Sequence, residues 1–549
     1  MSLRPDAIGP VPAMTALVAR AAFPKGHRLL CLRDTLGTIY DDARFAALFP
    51  ARGRPAEAPW RLALVTVLQC AEGLADRQAA DAVRDRLSWK YLLGLELTDT
   101  GFDYSILSDF RARLVEGNAE HVLLDALLDR CKDAGLLRAR GRQRTDSTHV
   151  LAAVRTLNRL ECVGETLRHA LNALAAVVPD WLRAQVGPDW YDRYGRRIEE
   201  TRLPEAATER DALAATIGAD GLHLLRSVYA PAALAWLREI PAVQTLRRVW
   251  VQYFHAPDAS DGVVRLRDPR DMPPGDRTIE SPYDPDARYH TKRQTSWTGY
   301  SVHLTETCDE GAPHLVTHVA TVPATTNDVE LTATIQADLA ARDLLPAEHL
   351  LDAGYVNARH LVTSAAQGID LVGPAPPDTS WQAAAAAGFD VASFIVDWER
   401  CIVTCPQGKR SRYWGAGTTE HGHPFHQVIF DKDDCVACPC RAHCTRSATR
   451  PRQLALRPRE EHAALQGARR RQRTDEFTDH YKTRAGVEGT VSQGVRGCDV
   501  RHARYCGLPK AHLQHVATGV AISLQRLDDW WTETPGVPTY MSRFAALAA

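Results

Sequence analysis

No long uncharged apolar run occurs anywhere in the 549 residues, so a membrane-spanning helix is not expected. The opening stretch MSLRPDAIGPVPAMTALVARAAFPKGHRLL lacks a short apolar h-region with a cleavage site, and the chain is expected to stay in the cytoplasm. Net charge is nearly absent as well, at -1, so bulk charge alone does not announce a nucleic-acid partner. Lysine is scarce, with 8 against 58 arginines. Codon bias in a GC-rich genome accounts for most of that ratio, although the planar fork of arginine also suits phosphate. An even cysteine complement is missing too. Thirteen cysteines in a large chain without an export signal argue against a secreted disulfide framework.

What is present divides unevenly along the chain. The length predicts about three or four domains. Residues 1–39 read as an irregular lead-in. Residues 40–140 carry apolar residues at helical spacing, as in APWRLALVTVLQCAEGLADRQAADAVRDRL, and read as a helical N-terminal domain. That domain either holds a helix-turn-helix for DNA or is a plain bundle. Residues 141–154 turn strand-like, with Thr145, Thr148, Val150 and Val154 around Asp146. Residues 155–288 read as a helical insertion ending in a Pro/Asp-rich linker. Residues 289–375 alternate strands and helices: strands at Thr295–Thr307 and His314–Val322, a helix from Asp328, a short apolar run before Asp352, and a strand at Ile369–Pro374. A Cys/Arg-rich insertion fills 376–475, two helices fill 476–530, and 531–549 is a tail. Strands and helices in this order predict an α/β fold built on a mixed sheet.

Three carboxylates stand out by context. Asp146 lies inside a strand, where an acid needs a partner or water; the competing account is an outward position on an edge strand. Asp352 follows Leu350 and Leu351 and precedes Ala353-Gly354-Tyr355, the end of a buried strand where α/β sheets place their sites. It would equally serve as an N-cap. Glu488 follows Tyr481 and Arg484 at spacings that share a helical face, and a surface ion pair with Arg484 is the plainer alternative. Three such acids can hold two hard divalent ions about 3.5–4 Å apart for phosphodiester chemistry. Asp284 and Asp286, on either side of Pro285, read as turn residues.

Six of the cysteines fall between Cys401 and Cys444. Cys405, Cys435, Cys438 and Cys444 are the favoured ligands of a structural zinc ion, with Cys401, Cys440 and His443 as alternatives. Reduced buried thiols are the competing account. Between Arg441 and Arg473 ten arginines meet two acids, a local basic stripe suited to phosphate. Arg469, Arg470 and Arg471 are its candidate DNA contacts, set against a solvated helix face.

These contexts together resemble the DDE transposases of bacterial insertion sequences. Tyr481, Arg484 and Glu488 match that group's Tyr-x2-Arg-x3-Glu-x6-Lys signature, and Val495, with Arg496 beside it, occupies the lysine position. LLDAGYVN resembles the second-aspartate motif and RTDSTHV the first. The resemblance runs from about residue 40 to 530 and implies an RNase H-like core. It implies cleavage of element ends and their joining to target DNA, with two Mg²⁺ (or Mn²⁺) ions on Asp146, Asp352 and Glu488. It further implies DNA-backbone contacts from Tyr481 and Arg484, with Arg496 in place of the lysine, and a homodimer on double-stranded DNA in the bacterial nucleoid. An RNase H-like nuclease without strand transfer, or a non-catalytic DNA-binding descendant, are the alternatives.

Overall fold

Thr145, Thr148 and Val150 favour extended backbone, and the chain there forms β1 (Arg142–Leu151). In the computed structural model, residues 2–5, 8–198, 203–256, 263–385, 389–420 and 422–532 are described. Nearly all of the expected tail lies outside them. β2 (Arg288–Lys292) and β3 (Thr295–Thr307) form a hairpin, and β4 (Val316–Pro323) pairs with the later part of β3. β1 lies antiparallel on the other side of β3. Two three-residue strands, β5 (Glu348–Leu350) and β6 (Asp370–Val372), continue the sheet parallel to β1. The result is a mixed sheet with helices around it, the α/β class that the element order predicts.

The helix Leu508–Trp531 sits at the centre of the main core. Its Leu513, Val516, Val520, Leu524 and Leu527 make an apolar stripe, yet Gln514, His515, Ala517, Thr518 and Ser523 are buried as well. It packs against β4, where Gly519 admits Val316 and Val319 so closely that a Cβ there would lie 3.2 and 3.0 Å from their side chains. It also packs against the N-terminal helix Pro59–Glu72, so one continuous core joins the N-terminal helices to the sheet. The helices between Arg159 and Tyr253 close over a second core. A third, much smaller core belongs to the Cys-rich region, built on β7 (Ile395–Asp397), β8 (Ile402–Thr404), β9 (Ser411–Thr418), β10 (Pro424–Phe430) and β11 (Gln453–Leu456).

Two expectations are corrected here. The lead-in is not irregular: Ala13–Ala22 and Arg28–Leu36 are helices, and Leu29 and Leu32 of the second are buried in the main core. The segment around Glu488 is not one helix. Asp475–Tyr481 is followed by a 3-10 turn, Lys482–Ala485, and then by the helix Gly486–Cys498. Among the described residues no helix is long and apolar enough to cross a membrane.

Candidate active site

The register of two parallel strands brings the first two acids to one level. Arg144 of β1 faces Leu350 of β5, so Asp146 and Asp352 each stand two residues further along neighbouring chains. Adjacent strands are about 4.8 Å apart. Asp352 is not a helix cap: its Oδ1 accepts from the Gly354 amide at 2.8 Å, and the next helix is capped by Asn357. Asp146 Oδ1 accepts from the Ser147 amide at 2.8 Å, and the side chain is 17% exposed. Burial pushes its carboxyl up from the ordinary value. The Arg484 guanidinium and the Ser147 amide oppose that shift, and the charges of Asp352 and Glu488 add to it.

Glu488 reaches this point from the other side of the chain. Arg484 links the two, with Nη2 2.8 Å from Asp146 and Nη1 3.2 Å from Glu488. The pair with Glu488 is therefore not a free surface contact, although Glu488 itself is 64% exposed. Tyr481 stacks on Phe477 with ring centroids 5.6 Å apart, against the ends of β5 and β6. Burial pushes its phenol up, Arg484 opposes, and the three acids add to the rise.

The helix that carries Glu488 is held to the sheet by a buried ionic cluster that sequence reasoning missed. Glu306 of β3 is fully buried and accepts from Arg144 Nε at 2.6 Å, from Arg526 and from Thr490. Arg144 also donates to the Thr483 carbonyl, and a Cβ at Gly486 would run into its guanidinium. Asp328, the first residue of the helix Asp328–Ala341, is a fourth acid beside the site. Its Oδ1 accepts from Ser147 Oγ at 3.2 Å, and Lys292 lies 3.0 Å from Oδ2. Neither residue belongs to a motif, and only the fold brings them near Asp146.

A cavity of about 300 Å³ opens beside Asp146 and Glu488, with Val495 and Arg501 in its wall. Arg501 Nε donates to Thr148 Oγ1 at 3.0 Å. Arg496, expected to stand in for the signature lysine, is exposed, bonds back to its own helix and does not line this cavity. The cation there is Arg501, thirteen residues beyond Glu488. Asp284 behaves as a structural residue, fully buried and bonded to Tyr300 and the Gly507 amide. Asp286 accepts from the Leu508 amide at 3.4 Å.

The basic stripe is largely spent on internal contacts. Arg469 donates to the Pro376 carbonyl, and Arg471 pairs with both oxygens of Asp370; Arg470 is exposed. Within the Cys-rich region, Cys405, Cys435, Cys438 and Cys444 line one cavity of about 30 Å³, while Cys401, Cys440 and His443 do not. Burial pushes the Cys444 thiol up to about 11, Arg452 opposes, and Cys435, Cys405 and Cys438 add to the rise.

The donor sets suit different metals. Oxygens from Asp146, Asp352 and Glu488 fit a hard divalent ion, and four facing thiols fit zinc. Among the described residues, however, no three His, Cys, Asp or Glu side chains are drawn into a closed metal-holding group. In the first set Arg484 lies between two of the acids.

A family model described as Transposase DDE domain matches residues 404–528, and one described as Transposase domain (DUF772) matches residues 17–113. No curated protein and no solved structure matches. The first match spans Glu488 and the four facing cysteines, and the second spans most of the N-terminal helices. Both stretches are thus similar to transposase domains, the later one to a DDE domain.

Proposed function

We propose that this transposase cleaves the ends of an insertion sequence and joins them to target DNA, with Asp146, Asp352 and Glu488 holding two Mg²⁺ (or Mn²⁺) ions. The observation that carries the reading is the approach of three acids from distant segments: one on β1, one just past the neighbouring parallel strand β5, and a third tied to the first through Arg484. The strand order β4-β3-β1-β5-β6, antiparallel then parallel, supports an RNase H-like core in 141–154 and 289–375. On this reading 40–140 is a helical DNA-binding domain, 155–288 and 376–475 are insertions, and 476–530 completes the core.

When bound, the two ions would supply Lewis acidity to the scissile phosphate and its leaving oxygen. The chain does the rest by positioning. Asp146 and Asp352, fixed on the sheet, set where the phosphate must lie. Arg484 balances the negative charge of the acids in the free protein and presents its fork to the DNA backbone when they are engaged. Tyr481, braced on Phe477, backs the same strand. Arg501, held by Thr148, contacts the phosphate beyond Val495. A homodimer on double-stranded DNA pairs the two ends. Cys405, Cys435, Cys438 and Cys444 would hold one structural zinc ion.

The test uses a labelled element end with Mg²⁺. Asp146→Ala, Asp352→Ala and Glu488→Ala are each expected to lower nicking by more than about 100-fold while DNA affinity is retained. Nicking by Glu488→Ala at the wild-type rate would sink the assignment. Joining of a pre-cleaved end to target DNA is expected from the wild type, and its absence would leave a nuclease without strand transfer.

A further inference from the structure

An open groove of about 570 Å³ lies between the N-terminal helices and the segment that follows the Glu488 helix. Gly73, Asp76, Arg77 and Tyr104 line it on one side, and Arg504 and Tyr505 on the other. A guanidinium lies over each of its two rings. Arg77 lies 5.1 Å over Tyr104, and Arg111 lies 4.9 Å over Tyr505. Tyr104 is 42% exposed and Arg77 is exposed. The acid in the groove is already neutralised: both Asp76 oxygens bond Arg111, at 2.9 and 2.6 Å, and Gln69 bonds the first as well. Arg77 and Arg504 therefore give the groove a surplus of positive charge.

The groove is continuous with the proposed active site through a short piece of chain. Arg501 stands in the wall of the catalytic cavity, and Arg504 and Tyr505 stand in the wall of the groove. Two residues separate the two arginines, a span of at most about 11 Å. That piece is fixed to the end of β1, since Leu151 donates to the Arg501 carbonyl at 2.7 Å and Ala503 donates to the Leu151 carbonyl at 2.8 Å. Arg504 Nη1 closes the link by donating to the Leu74 carbonyl at 3.1 Å. An exposed ring, a second half-buried ring, stacked guanidiniums and surplus charge in one concavity suit unpaired bases and their phosphates.

We propose that this groove takes a few unpaired nucleotides of the DNA strand leaving the active site, stacking bases on Tyr104 and Tyr505 and pairing phosphates with Arg77 and Arg504. The proposal rests on the transposase reading above. The test compares fluorescein-labelled duplexes, one blunt and one with a four-nucleotide single-stranded extension, by anisotropy on the full chain. The wild type is expected to bind the extended duplex about tenfold more tightly. Arg77→Ala/Tyr104→Ala is expected to reduce that gain to less than about twofold and leave blunt-duplex affinity unchanged. Tyr104→Phe, which keeps the ring, is expected to keep the gain, and so controls for a fold defect. Equal affinity of the wild type for both duplexes, or an undiminished gain in the double variant, would overturn the groove while leaving the catalytic reading in place. Failure of the wild type to bind either duplex would overturn both.

Discussion

Gly354 is where the smallest change should do the most damage. A Cβ at this position would lie 3.0 Å from an oxygen of Asp328 and 3.0 Å from an oxygen of Asp352. Its φ is outside the left-handed region, so the backbone itself tolerates alanine. The methyl group must therefore push apart two acids beside the proposed metal site. Gly354→Ala is expected to lower end cleavage by about 10-fold, since the acids must shift by a few tenths of an ångström, with little change in melting temperature. Gly497 is the control: it is helical, with nothing within 4 Å of an added Cβ. Gly497→Ala is expected to stabilise by about 0.5–1 kcal/mol and to cleave normally. Cleavage by Gly354→Ala at the wild-type rate would mean that the spacing of these acids is not critical. Side chains of this kind divide sharply in how legible they are from sequence. Asp352 and Glu488 sit in short motifs and could be named at once. Asp328, Lys292 and Arg501 could not, because what matters about each is a partner far away: Ser147 for Asp328, 181 residues off, and Thr148 for Arg501, 353 residues off.

Whole elements are legible when their own burial pattern decides them. β3 spans the expected Thr295–Thr307 because its threonines, valine and aromatic residues favour extended backbone, and as a central strand it is buried almost throughout. β2 went unread because RYHTK is a mostly exposed edge strand, with no alternation to betray it. The first helix, Ala13–Ala22, escapes a sequence reading for a related reason, since it buries only Thr15 and Ala19. The attachment of the Glu488 helix to the sheet was invisible for a stronger reason: it runs through an acid with no exposed surface. Glu306 carries Arg144, Arg526 and Thr490 together, and Arg144 in turn holds the Thr483 carbonyl just before Arg484. Removing the charge of Glu306 leaves two largely buried guanidiniums facing each other. Glu306→Gln is expected to cost about 3–5 kcal/mol in urea denaturation. It should also lower cleavage at temperatures where the variant is still folded, because Arg484 and Glu488 lose their anchor. A loss below about 1 kcal/mol with normal cleavage would show that the cluster is dispensable.

At the scale of the molecule, the three cores are very unequal, and the inequality bears on zinc. The main core joins the N-terminal helices, the sheet and the helix Leu508–Trp531, and the second closes the helical insertion by itself. Among the described residues, the core of the Cys-rich region consists of Phe394, Val403, Val428, Phe430, Leu454 and Leu456, under short strands that are mostly half-buried. A core of that size does not hold several short strands together unaided, and small modules of this kind are usually stapled by a disulfide or a metal. Its cysteines are all free thiols, and four of them face one cavity bordered by Lys409, Asp434, Arg441 and Arg452; Lys409 pairs with Asp434, which leaves Arg441 and Arg452 to offset part of the charge of four thiolates. The staple is therefore expected to be zinc, bound at about one ion per chain. Removing it with a chelator should expose residues 395–456 to protease while the sheet around β1, β3 and β5 stays protected, because the two cores share no buried residue. Cys435→Ser with Cys438→Ser should abolish zinc retention and give the same protease pattern without chelator. A purified chain with less than about 0.1 zinc ion and an unchanged digest after chelation would instead make these four cysteines ordinary reduced thiols.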